Sequence, residues 1–532
     1  MQDTRPRLGT FAGVFTPTLL TILGVIMYLR LGWVVGNGGL LGALLVIGLA
    51  VGITSTTGLA LSSIATNTRL GAGGPYAIIS RSLGIEVGGS VGVPLFVSQT
   101  LAVAMYIFGF REGVVWMLGS LDVHVSDVGA LVIDLATFGL VFAVAYVSAE
   151  LAFRIQYVIM AVIFVSIALV LGSPAGWGAS HGVLWVGDWR GSVDNGFGGT
   201  DFWTVFAVFS SAPTGVMAGA NMSGDLQDPR RSIPAGTIAA IGLSTAVYVL
   251  LAVWLARAGT AAELTSNYTF LIDASLWGPG VLAGLLGATL SSALSSLVGA
   301  PRILVALVDD AVVPDVGGLR ELSENGEPRR AMVASAILVL GGLLLRDLNA
   351  IAPLLSMFFL ITYLVINLVV LIESSLRLQS YRPTLEIPRF VPALGALGSL
   401  FAMFIVNPTV SLLAVGVVFG LYVTILRRGV SSRDDSRSGI FSAVAEWAAA
   451  RATEYEAVNP RAWKPNLLVP VQDTAELRGD FQLLVELVRP EGTIKLLGVA
   501  AEAEVAEVAE RVTRLTRELR KKGVFTTSSV LD

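Results

Sequence analysis

Leu20-Thr-Ile-Leu-Gly-Val-Ile26 and Ser211-Ala-Pro-Thr-Gly-Val-Met217 each set glycine in the middle of a membrane-length apolar segment, and the second adds proline. At both places the helical hydrogen-bond ladder is expected to fail at mid-bilayer, freeing backbone carbonyls and amides. Lipid offers such groups no partner, so non-helical backbone at that depth persists only where it is packed in protein or lines a cavity. Two interrupted segments half a membrane domain apart are the pattern of a secondary transporter built from inverted repeats.

Apolar segments of roughly 20 residues, the length that crosses a bilayer, recur about twelve times. They cover 12–35, 40–64, 87–110, 128–146, 155–171, 202–220, 234–254, 279–304, 331–345, 351–372, 391–405 and 410–426. Charged residues are only 14% of the chain, against about 25% in a soluble protein, so most of it is expected to lie in lipid. The first ten residues are polar, and the apolar run from Phe11 is too long for a cleavable signal. An even number of spans puts both termini on one side. Arg69, Arg81, Arg154, Arg230, Arg231, Arg302, Arg329, Arg330, Arg377, Arg382, Arg389, Arg427 and Arg428 flank alternate loops and the tail. Only Arg111, Arg190, Arg257 and Arg346 flank the others, so the positive-inside rule assigns both termini to the cytoplasm.

Several function classes fall away. Cysteine is absent, which removes disulfides, thiolate metal sites and cysteine nucleophiles together. The two histidines, His124 and His181, fall in predicted outer loops. No GxxxxGK[ST] loop is present to cradle ATP phosphates, so primary pumping by this chain alone is not expected. No nucleophile–base constellation or metal cluster is visible, so neither an enzyme, a transition metal nor a cofactor is expected. A net charge of −4 argues against a nucleic-acid partner.

After Leu426 the composition changes. Arg427, Arg428 and residues 431–438 read as a linker, and 441–456 as an amphipathic segment. Residues 466–471 and 493–500 read as buried strands, 475–488 and 502–522 as helices, and 524–530 as a third strand. That alternation predicts a small α/β unit with a parallel sheet.

The core segments lack a central Asp, Glu or Lys; Asp134 lies in the fourth span, Glu373 at the inner end of the tenth and Arg30 near the outer end of the first. A charge at the midplane costs about 2.5–3.5 kcal/mol even on the lenient insertion scale. Cations must then be held by dipoles, and proton coupling would have only Asp134 to load. Ser291 and Ser292 offer paired hydroxyls inside the eighth span, suited to the oxygen shells of hard cations, though small residues there also serve tight helix packing. Tyr106 and Tyr363 place phenols at membrane depth, as ligands or as interfacial anchors. Thr214 follows Pro213 at the second interruption. Gly24-Val-Ile26 and Gly215-Val-Met217 are expected to open the following half-helices, with amides at positive dipole ends suited to an anion.

The chain resembles prokaryotic members of the cation–chloride cotransporter family, within the amino acid–polyamine–organocation superfamily. The resemblance is carried by Ile22-Leu-Gly-Val-Ile-Met-Tyr-Leu-Arg-Leu-Gly-Trp33, Ser62-Ser-Ile-Ala-Thr-Asn67 and Gly73-Gly-Pro-Tyr-Ala-Ile-Ile-Ser-Arg-Ser-Leu-Gly84. Most specific is Thr214-Gly-Val-Met-Ala-Gly-Ala-Asn-Met-Ser-Gly-Asp-Leu226, followed by Asp228-Pro229 and Ile233-Pro234. It implies an all-α membrane protein of LeuT-like fold: two inverted five-helix repeats, twelve transmembrane helices with helices 1 and 6 broken, and a small α/β cytoplasmic C-terminal domain. On that reading residues 1–11 are a cytoplasmic segment, 12–426 the transport domain and 427–532 the linker and cytoplasmic domain.

It also implies electroneutral symport of Na⁺, K⁺ and Cl⁻ across the plasma membrane, by a homodimer. Carried over residue by residue, sodium would take backbone at Leu20, Leu23 and Ala288 with the hydroxyls of Ser291 and Ser292. Potassium would take Tyr106 and Thr214 with backbone at Thr21, Ile22 and Ser211. One chloride would rest on amides of Gly24, Val25 and Ile26, another on Gly215, Val216 and Met217 with the Tyr363 hydroxyl. The serine pair matches the sodium-dependent branch, and Tyr106 the potassium-carrying members. Thr21, Leu23 and Ser211 depart from the Asn, Trp and Pro of animal members. Rival readings are K⁺-only transport, Na⁺-independent K⁺/Cl⁻ transport, and an amino-acid or polyamine carrier of the same superfamily.

Overall fold

The computed structural model describes residues 8–67, 73–178, 182–193, 196–323, 326–345, 348–376, 381–428, 465–471, 477–489, 492–500 and 505–531. Arg5, Arg7, Arg69, His181, Arg346, Arg377, the linker 431–438 and the segment 441–456 lie outside the described residues. The chain forms two compact units, Met1–Ala445 and Glu446–Asp532.

Among the described residues of the first unit, ten helices are long and apolar enough to cross a membrane. The shorter apolar helix Phe390–Val406 and the helix Arg329–Leu345 complete the expected series one for one. The protein is thus an integral, multi-pass membrane protein. Spans 1 to 4 each pack against the span five places later, the pairing expected of two five-helix repeats. The eighth span also packs closely on the fifth and lies at the centre.

Span 1, which opens with Phe11–Leu29, is broken where expected. Its helix Thr16–Ile22 stops at Leu23 (φ −80°, ψ 46°); Gly24 is extended (φ −88°, ψ −160°), and Val25–Leu29 continues as a short helix. Span 6 begins at an Asp201 cap whose Oδ1 accepts from the Trp203 and Thr204 amides at 2.8 and 2.9 Å. The Thr204 amide chiefly holds this carboxyl below its usual range. Helix Phe202–Ser210 then gives way to the 3₁₀ segments Ala212–Met217 and Ala220–Asp225. Pro213 lacks an N–H and its ring crowds the preceding turn, which weakens the α-ladder at the point where it gives way to 3₁₀.

One expectation needs correction. Gly215-Val216-Met217 does not open a half-helix; it lies inside the 3₁₀ segment, whose i→i+3 bonds engage the amides that an α N-terminus would leave free. The first span runs on beyond Leu29 as expected: the Arg30 amide donates to Ile26 O and the Val34 amide to Arg30 O, both at 2.9 Å, so the helix passes Arg30. The turn into the second span comes at Gly39. There φ is 65°, and a Cβ would stand 2.6 Å from the Trp185 carbonyl oxygen. The loop at 184–185 is held against this point by the Leu40 and Leu41 amides, which donate to Leu184 O and Trp185 O at 2.8 and 3.1 Å. Only glycine fits both the backbone and the contact.

In the second unit the strands Asn466–Val471, Thr493–Val499 and Phe525–Leu531 pair in parallel in that order, joined through helices Leu477–Val488 and Val505–Lys521. Alternate strand residues such as Ile494 and Leu496 bury against Val485, Val488, Val512 and Leu519. The α/β reading of the tail therefore holds.

Candidate ion-binding site

The two interruptions meet. A Cβ built on Gly215 would lie 2.5 Å from Thr21 Cγ2 and 2.6 Å from Thr21 Cβ, so the bare backbone of span 6 rests directly on the last turn before the break of span 1. A Cβ on Gly24 would lie 3.1 Å from the Thr21 carbonyl oxygen and 3.9 Å from Ser292 Oγ. The serine pair of span 8, the gap in span 1 and the 3₁₀ turn of span 6 thus share one centre.

Each residue expected at a cation site can be located. Leu20, Leu23, Ala288, Ser291 and Ser292 are all fully buried. Ser292 Oγ donates to Ala288 O at 2.9 Å, which leaves its lone pairs available. The Ser291 hydroxyl has no partner among the described residues. A buried, unpaired hydroxyl costs roughly 1–3 kcal/mol, so a ligand there relieves a standing penalty. Thr21 and Thr214 hydroxyls donate to Pro17 O and Ser211 O at 2.6 and 2.7 Å. Tyr363 donates its hydroxyl to Thr214 O. Thr21, Ser211 and Thr214 are therefore brought to the crossing together with Tyr363, while Tyr106 of span 3 packs on the Ala102–Leu355 cluster between spans 3 and 10. Gly24, Val25 and Ile26 stand at the start of the short helix after the break, while Gly215, Val216 and Met217 form the 3₁₀ turn facing Thr21.

Ile22 differs. Its carbonyl, freed by the break, accepts the Tyr248 hydroxyl at 2.7 Å. Tyr248 comes from span 7 and is braced edge-on by Phe209, ring centroids 5.2 Å apart. A phenol at membrane depth, the signal that marks Tyr106 and Tyr363 in the sequence, marks Tyr248 equally. Gln156 of span 5 is a second residue that carries no such signal: its Nε2 donates to Ser295 Oγ at 2.8 Å and reaches Ser291 O at 3.5 Å.

Formal charge is kept off this centre. Asp134, fully buried, is matched by Arg111 at 2.6 Å, a pair between spans 4 and 3. That ion pair engages the carboxylate that the sequence offered for proton coupling. Arg30 lies over the Tyr268 ring at 4.0 Å beside a cavity of about 300 Å³ lined by Leu29, Glu112, Trp116 and Leu285. A cavity of about 690 Å³ lined by Thr66, Asp228, Arg230, Arg231 and Thr384 lies toward the other end of span 1, where Leu8 bridges to Leu226.

Two broken spans crossing at a buried, uncharged, oxygen-lined centre, with a cavity toward either end, define a membrane transporter. The chain belongs to the amino acid permease family, whose profile matches residues 13–445. Within it the affinity is to cation–chloride cotransporters: residues 469–532 match the first C-terminal domain of prokaryotic cation–chloride cotransporters. Solute carrier family 12 member 2 of Mus musculus is 33% identical over 467 residues, 78% of this chain and 38% of the relative. Solute carrier family 12 member 1 of Homo sapiens is 32% identical over 465 residues, 78% of this chain and 42% of the relative. Member 9 of Xenopus laevis is 32% identical over 509 residues, 88% and 56% respectively. The chain spans less than two thirds of the length of each of these relatives.

Proposed function

We propose that this protein is a secondary-active, electroneutral symporter of Na⁺, K⁺ and Cl⁻. It works by alternating access in the plasma membrane, with both termini cytoplasmic. The observation that carries the reading is the serine pair beside the gap in span 1: buried hydroxyls and unwound backbone, with no ionised side chain at the centre. Such a shell suits a dehydrated hard cation. Potassium takes Thr21, Tyr106, Ser211 and Thr214, with the Tyr248 bond to Ile22 O yielding when that carbonyl is needed. Chloride neutralises the cations from the amides of Gly24, Val25 and Ile26, and a second from the neighbourhood of Gly215, Val216, Met217 and Tyr363. With charge balanced by the cargo itself, the bundle of spans 1, 2, 6 and 7 moves across the membrane without working against the potential. The transporter is a homodimer, to be checked by the mass of the solubilised particle.

Tracer uptake into proteoliposomes with each ion omitted in turn is the test. Rubidium uptake is expected to require sodium and chloride together and to be indifferent to an imposed voltage. Replacing Ser291 and Ser292 together by alanine is expected to raise the half-saturating sodium concentration by on the order of 100-fold, two ligands at about 1.4 kcal/mol each. Rubidium flux that ignores external sodium would refute the sodium role and favour the potassium-only reading. Saturable amino-acid uptake would favour the carrier reading instead.

A further inference from the structure

Span 5 meets the serine turn of span 8 through Gln156, whose side chain is fully buried. Its Nε2 points at span 8, on Ser295 Oγ at 2.8 Å and near Ser291 O at 3.5 Å. The opposite amide orientation would set two carbonyl oxygens against each other at Ser291, so the nitrogen belongs on this side. That leaves Gln156 Oε1 buried and without a partner among the described residues, as is the hydroxyl of Ser291. Two residues in direct contact therefore each hold an oxygen with free lone pairs and no donor to meet them. The next residue along, Ser292, lies beside the gap in span 1.

Orphaned acceptors in a dry, uncharged setting are satisfied together by a cation, which takes lone pairs and asks for no acceptor in return. Hard cations collect six or more oxygens, and the backbone and hydroxyl oxygens of spans 1 and 8 leave room for another. We propose that the side-chain carbonyl of Gln156 is a further ligand of the sodium site, contributed by span 5. This rests on the sodium reading above. An amide supplies the oxygen without a charge, so the centre stays neutral when sodium leaves. The amide nitrogen already ties span 5 to span 8 through Ser295, and the oxygen adds span 1 to that tie only while the ion is bound.

The experiment compares Gln156→Met, which keeps the shape and removes the oxygen, with Gln156→Glu, which keeps the oxygen and adds charge. Half-saturating sodium, rubidium and chloride are measured for uptake by the full chain in proteoliposomes. Q156M is expected to raise the sodium value about tenfold, equivalent to about 1.4 kcal/mol, with the rubidium and chloride values at saturating sodium unmoved. Q156E is expected to match or lower the wild-type sodium value. A shift shared by all three ions, or a Q156E as impaired as Q156M, would mean that Gln156 only packs, and the proposal falls. Sodium-dependent wild-type uptake with an unmoved Q156M sinks the Gln156 assignment alone; sodium-independent wild-type uptake sinks the sodium site with it. Should Q156M fail to fold, the sodium titration of thermal stability in Q156E decides: a midpoint at or below wild type supports the ligand, and a weakened one overturns it.

Discussion

Gly215→Ala is expected to lower rubidium and chloride uptake by on the order of 100-fold while leaving the protein folded. The added methyl would stand 2.5 Å from Thr21 Cγ2, 2.6 Å from Thr21 Cβ and 3.1 Å from the Thr21 carbonyl carbon. Ordinary contact needs a further ångström, and none of these atoms is the tip of a long, flexible chain. Thr21 is β-branched and its hydroxyl is already bonded to Pro17 O at 2.6 Å, so its side chain has nowhere to swing. The two broken helices must therefore move apart. A displacement of about 1 Å among groups that must converge on one ion can cost on the order of 100-fold in rate. Gly48→Ala in span 2 is the control, because nothing lies within 4 Å of the added carbon there. Wild-type uptake by G215A would mean that the crossing does not hold the transported ions.

The second large effect concerns stability. Arg302, near the end of span 8, donates from Nε to Asp225 Oδ2 at 2.6 Å and from Nη2 to Glu327 Oε2 at 3.2 Å. Its Nη1 also donates to Val298 O at 2.6 Å. Glu327 in turn accepts the Ala149 amide at the start of span 5, at 3.0 Å. One guanidinium thus ties span 8 to the end of span 6, to the approach to span 9 and, through Glu327, to span 5. Arg302→Met leaves a buried Glu327 uncompensated, and removing one partner of a buried pair typically costs about 3–5 kcal/mol. The Asp225 side chain is 37% exposed, so water screens its share and the lower end of that range is expected. Thermal unfolding in detergent should show a clearly lower midpoint. Adding Glu327→Gln to R302M should recover part of the loss, because an amide is cheaper to bury than an unpaired carboxylate. A midpoint unchanged in R302M would show that the network is solvated and carries no weight.

Much of this protein is legible along the chain, and for local reasons. A run of apolar residues long enough to cross a bilayer announces itself whatever surrounds it. The break at Leu23–Gly24 and the failure of the α-ladder at Pro213 stem from the residues themselves. In the tail, the alternation of 466–471 and 493–499 and the amphipathic helix between them define strand and helix by period. The path of span 6 beyond its break is not legible: Gly215-Val216-Met217 has no local feature that favours 3₁₀ over α. The segment leads to Asp225, whose carbonyl accepts the Leu8 amide at 2.8 Å and whose carboxylate is held by Arg302. Those anchors lie more than 200 residues away on one side and 77 on the other.

The amino-acid order by itself therefore determined the number of spans, where the helices of spans 1 and 6 give way, the absence of midplane charge and the α/β character of the tail. Tertiary structure alone decided that Gly215 rests on Thr21, that Tyr248 takes the Ile22 carbonyl, that Arg111 neutralises Asp134 and that Gln156 reaches Ser291. The reason lies in the solvent. A helix in water shows its buried side as an apolar stripe, but a helix in lipid is apolar all round. Its sequence consequently says how long it is and where it breaks, and says little about which face it turns to its neighbours.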